Sequence, residues 1–180
     1  MTTIAPAKMK SSNLKVYCDA SYSHKDRLGV AGFLMYFNED HHAACNFDAA
    51  FIRTKSFEAQ NNICAEIMGI LWTLDQILKY HLDSTNLTSI LIFTDCQTVV
   101  NLPERRNKLE ENDFKSRRTQ ESLKNAELYR QFFKQIDKLP IRFQWLKGHT
   151  PKQNRSIYEQ NISFIDRRVR KKLREKLALS

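Results

Sequence analysis

The chain has 180 residues, 42% of them apolar and spread along its length, which allows a sizeable core but no membrane span of roughly 18 consecutive apolar residues. A net charge of +9 favours a polyanionic partner, nucleic acid first and an acidic membrane surface second. Only 4 glycines are present, too few for a Gly-rich phosphate loop, and Cys18, Cys45, Cys64 and Cys96 form no CxxC pair or zinc spacing, so dinucleotide, P-loop and zinc sites are disfavoured.

Residues 1–13 read as a flexible lead-in with lysines but no apolar signal core, and residues 14–180 as a single domain. Residues 14–18 are apolar and β-prone, a first strand ending at Asp19. Residues 21–28 are a polar turn, residues 29–37 a second strand, residues 38–42 another turn and residues 45–54 a third strand. Short connections make these three an antiparallel meander. Ile67, Ile70, Leu71, Leu74, Ile77 and Leu78 then recur at helical spacing. After a polar break at residues 84–88, residues 89–94 form a continuous apolar run, the mark of a strand buried on both faces, with Asp95 directly behind it. Residues 96–138 read as mostly helical, broken early by Pro103. A later amphipathic helix carries Leu123, Leu128, Phe132, Phe133 and Ile136 and is ended by Pro140. Residues 141–146 are a fifth strand, residues 147–160 a polar loop and residues 162–177 a basic final helix. The order β-β-β-α-β-α-β-α predicts an α/β fold, a five-stranded mixed sheet flanked by helices with strands one, four and five parallel.

Four carboxylates fall at element boundaries. A single strand-end aspartate is more often a turn or cap residue. Asp19 and Asp95, however, end two strands that would be neighbours, at the carboxyl edge where open α/β sheets bind ligands. Two such carboxylates repel unless one is protonated or a cation joins them, and oxygen-only ligands suit Mg²⁺ or Mn²⁺. Glu66 opens the first helix among apolar neighbours, and Asp166 lies in the first turns of the last. The plainer account of both is a favourable charge near a helix N-terminus or, for Asp166, a salt bridge to nearby arginines. His149 sits in a loop after the fifth strand. Such a histidine is usually just solvated, but near a phosphate it could carry protons.

In chain order these segments resemble type 1 ribonuclease H. They are Asp19-Ala20-Ser21, Gly29-Val30-Ala31-Gly32, Asn62-Ile63-Cys64-Ala65-Glu66, Thr94-Asp95-Cys96-Gln97, Trp145 to His149, and Ile165-Asp166-Arg167. Cys96 stands where the family often has Ser, and Ala20 where it often has Gly. The resemblance implies the ribonuclease H-like fold and a metal site made of Asp19, Glu66, Asp95 and Asp166. It implies a loop histidine, His149, that assists turnover, and contacts from Ser21, Asn62 and Gln97 to the RNA strand. The implied substrate is an RNA–DNA hybrid, read through its 2′-hydroxyls. The implied chemistry uses two Mg²⁺ ions about 3.5–4 Å apart, with Mn²⁺ able to substitute, and leaves 5′-phosphate and 3′-hydroxyl ends. A cytoplasmic monomer with no membrane partner is expected, with oligomers left open. Rival expectations are a DNA-directed nuclease on the same fold, a degenerate binding module, and a basic RNA-binding domain without catalysis. Arg105, Arg106, Lys108, Lys115, Arg117 and Arg118 alternate with acidic residues and read as a salt-bridged surface. The cluster Arg167, Arg168, Arg170, Lys171 and Lys172 fits a phosphate track and a solvated helix face equally.

Overall fold

Alternating and continuous apolar runs become strands wherever a neighbouring strand can take up their backbone groups. The computed structural model describes residues 12–37, 51–80, 87–148 and 150–179. β1 (Ser12–Ser23), β2 (Leu28–Phe37) and β3 (Phe51–Glu58) form the antiparallel meander. β4 (Leu87–Thr94) and β5 (Ile141–Trp145) run parallel to β1, giving the order β3-β2-β1-β4-β5. The helices are α1 (Asn62–Tyr80), α2 (Gln97–Val100), α3 (Arg106–Glu111), α4 (Ala126–Ile136) and α5 (Ile157–Leu177).

The sheet has a core on each face, as the period of two requires. Leu14, Val16 and Cys18 of β1 join Ile67, Ile70 and Leu74 of α1 in one cluster, which α4 extends through Phe132. The intervening Tyr17 joins Val30, Phe93, Ile165 and Val169 in the other, under α5. β4 contributes Ile90 and Ile92 to the first cluster and Phe93 to the second, which accounts for its unbroken apolar run. Both helices come unusually close to β2. A Cβ added at Gly69 of α1 would lie 2.6 Å from Cβ of Ala31, and one at Gly32 would lie 2.7 Å from Cγ1 of Val169 on α5. The small residues of Gly29-Val30-Ala31-Gly32 are therefore packing devices between two layers. A methyl group at Gly32 would force repacking at a cost of about 1–3 kcal/mol.

Several boundaries move. β1 does not end at residue 18 but continues through Asp19 to Ser23, because β2 keeps pairing with it up to Ser23 opposite Leu28. Residues 45–50 of the expected third strand, and the turn at residues 38–42, lie outside the described residues. The strand itself runs beyond Thr54 to Glu58, its partner Leu28 starting β2. Residues 96–138 are not one helix with a single break. After α3, Asp113 and Phe114 take positive φ (50° and 54°), and an isolated bridge joins Lys115 to Ser122. Burial of the Phe114 ring against Phe133 accompanies that unfavourable backbone. α4 ends at Ile136, before Pro140 is reached. α5 starts at Ile157, not residue 162, because Ser156 and Glu159 form a reciprocal capping box there. Among the described residues no helix is long and apolar enough to cross a membrane.

Candidate active site

β1 and β4 are paired as far as Tyr17 opposite Phe93. Beyond that rung β1 stays with β2, while β4 stops at Thr94. Asp19 and Asp95 each stand two residues past the last shared rung, at the fork where the strands part. This is the switch point at which an open α/β sheet exposes a crevice.

Asp95 is fixed by its surroundings. The Thr94 hydroxyl accepts the Cys96 N–H at 3.1 Å, tightening the turn. The Trp145 indole Nε1 donates to the Asp95 carbonyl at 3.1 Å, and the Leu146 N–H donates to the Thr94 carbonyl at 2.9 Å. A Cβ at Gly148 would sit 2.6 Å from Asp95 Oδ2, so only glycine leaves that carboxylate its place. The segment from Trp145 to Gly148 thus cradles Asp95.

Glu66 comes from the facing helix. The Asn61 side chain accepts the Cys64 N–H at 2.8 Å and caps α1. The helix starts one residue later, which puts Glu66 in its second turn rather than at its opening. That weakens the account of Glu66 as a charge placed for the helix dipole, whose effect fades within one turn. Glu66 is 7% exposed and Asp19 6%. One oxygen from each of Asp19, Glu66 and Asp95 lies within 4.8 Å of the other two.

The electrostatics are those of an uncompensated acidic cluster. Burial, then the charges of Asp95 and Asp166, push the Asp19 carboxyl well above its usual range. Burial, then Asp19 and Asp95, do the same to Glu66. Asp19 Oδ2 is buried with no hydrogen-bond partner among the described residues. An orphaned carboxylate oxygen of this kind costs roughly 1–3 kcal/mol or more unless something binds it. Three oxygen donors at this range, one of them unsatisfied, fit a hard divalent cation. Cys96, at the rim, is no thiolate ligand at neutral pH, since burial and then Glu66 push its pKa up to about 11.

Asp166 is well inside α5, not in its first turns, so the helix-terminus account fails for it. Its side chain is 26% exposed and accepts a hydrogen bond from Arg170 Nε, the salt bridge anticipated as its plainer role. It nevertheless shares one open cleft of about 400 Å³ with Asp19, Glu66, Asp95, Ser21 and Asn62. Gln97 is exposed at the start of α2 and does not line that cleft. His149 lies outside the described residues. Its neighbour Thr150 is pinned: its hydroxyl donates to Glu159 at 2.7 Å and its carbonyl accepts Arg155 Nε at 2.7 Å.

A family model described as RNase H matches residues 11–163. The chain belongs to the RNase H family. Its fold is also that of the solved structure titled LC9-RNase H1, "a type 1 RNase H with the type 2 active-site motif". That likeness has a TM-score of 0.64 at 15% identity and covers 89% of this chain and 72% of the other, so it speaks for the fold. No curated protein matches the chain in sequence. RNase H membership goes with nuclease chemistry on RNA–DNA hybrids and with divalent metals. The matched segment stops short of Asp166, which enters the RNase H cleft through its place on α5. Sequence reading missed two cleft residues. Arg170 was grouped with the surface arginines, although its i+4 spacing from Asp166 puts both on one helix face. Gly148 was quoted within a motif without a role, because the need for a missing Cβ is a contact across the fold.

Proposed function

We propose that this chain is an endonuclease that hydrolyses the RNA strand of RNA–DNA hybrids, with Asp19, Glu66, Asp95 and Asp166 as metal-holding carboxylates. The observation that supports it most is the buried, partnerless Asp19 oxygen facing Glu66 and Asp95 at the fork of β1 and β4. Two divalent ions, Mg²⁺ with Mn²⁺ able to replace it, would supply charge stabilisation at the scissile phosphate and an acidified water.

The side chains supply the rest. Asp19 and Asp95 are held by the sheet and Glu66 by α1, so the inner wall of the cleft is set before substrate arrives. Asn62 and Ser21 border the cleft and are placed to meet ribose hydroxyls, whose donor and acceptor character separates RNA from DNA. Gln97, at the exposed start of α2, serves the same strand further out, and His149 carries protons during turnover. The products are 5′-phosphate and 3′-hydroxyl ends. The net charge of +9 supports hybrid binding through the phosphate backbones.

The test is cleavage of labelled RNA–DNA, RNA–RNA, DNA–DNA and single-ribonucleotide duplexes in Mg²⁺, Mn²⁺ or EDTA. Metal-dependent cutting of only the RNA in the hybrid is expected. Cutting of DNA would transfer the chain to the DNA-directed nucleases, and silence under every metal would make it a binding module.

A further inference from the structure

Of the residues that line the carboxylate cleft among the described residues, four are acidic and a single one, Arg170, is basic. Its guanidinium is held on the Asp166 carboxylate, one helical turn back along α5. Other ion pairs nearby differ in setting. Lys172 and Glu175, also on α5, pair at 3.2 Å but border no part of the cleft. Arg170 also offsets, through its charge, part of the upward push on Asp19. The inner trio has no such internal cation: Asp19 keeps an orphaned oxygen while Asp166 has a partner.

Resting on the proposed metal-dependent reading, we infer that Arg170 is the resident counter-cation of the outer half of the cleft, so that a divalent ion at Asp166 must displace it. An ion entering among Asp19, Glu66 and Asp95 meets unpaired carboxylates and no competing guanidinium. An ion that uses Asp166 has to break the Asp166–Arg170 pair and tolerate a positive group beside it. Loading is therefore ordered, the inner position first and the outer second. Arg170 acts here through Asp166 and is a positioning residue. Swinging off Asp166, its guanidinium is free to meet the phosphate that arrives with the second ion.

Calorimetric titration of the full chain with Mn²⁺ alone, without substrate, tests this. The wild type should show a tighter and a weaker site. Arg170→Gln should tighten the weaker site by about five-fold, the scale of one half-exposed ion pair, and leave the tighter one within about two-fold. Arg170→Lys, which keeps the charge, should resemble the wild type. Arg170→Met, similar in length and neutral, repeats the measurement should Arg170→Gln fail to fold. An outer site that is unchanged or weakened in the neutral variants, or missing from every variant, overturns the inference. Glu66→Gln separates the two claims: loss of the tighter site in it supports the metal-dependent reading whatever Arg170 does. Absence of any Mn²⁺ binding to the wild type overturns both.

Discussion

The inner and outer carboxylates of the cleft live under different physics. Asp19 and Glu66 are buried, sit on a central strand and a packed helix, and have no cation beside them. Asp166 is partly exposed, rides on α5 and is already paired with Arg170. The inner pair is a fixed demand for positive charge. The outer residue is a replaceable link, closed by a guanidinium until something stronger arrives. Asp95 joins the halves: it belongs to the inner trio and is also cradled by the segment leading to α5.

The harshest way to break this contrast is to neutralise its centre. Asp19→Asn or Asp95→Asn should lower hybrid cleavage by at least about a thousand-fold in single-turnover assays, since each removes a ligand charge. The metal-free Asp19→Asn protein should melt no lower than wild type, because the lost charge is one the fold strains to bury. A clear fall in melting temperature would make Asp19 a structural residue. Next in size is Gly148→Ala. The added methyl displaces Asp95, and misplacement on that scale should lower kcat by about a hundred-fold while circular dichroism stays unchanged.

A smaller effect separates recognition inside the cleft from recognition outside it. Gln97→Ala should reduce the preference for RNA over DNA by about ten-fold, the worth of roughly one hydrogen bond, with little change in Mn²⁺ binding. Unchanged selectivity would remove Gln97 from the substrate contacts and leave Asn62 and Ser21. Gentlest is the response to pH. Carboxyls raised above their unfolded values favour folding in acid and oppose it once ionised. Stability of the metal-free chain should thus be greatest below the ordinary carboxylate range and fall as pH rises through the raised values of Asp19 and Glu66. Saturating Mg²⁺ should flatten that slope in thermal melts, and a slope of equal size with and without metal would contradict the buried-charge account.

Much of this was legible in the chain because it is local. Hydrophobic period distinguished the strands from α1, and the run behind Asp95 announced a strand covered on both sides. The capping box Ser156–Glu159 was equally legible but was passed over, and with it the true start of α5. The break after α3 was not legible, since positive φ at Asp113 and Phe114 depends on where the Phe114 ring is buried.

By itself, then, the sequence determined the element types, the parallel and antiparallel pairing, and which carboxylates stand at element ends, because propensity, periodicity and capping act within a few residues. Only the tertiary structure decided that β1 runs past its partner β4, that Gly148 yields its space to Asp95, and that Asp166 shares its cleft with one cation, Arg170. Those outcomes depend on contacts between residues far apart in the chain, whose distances no local pattern encodes.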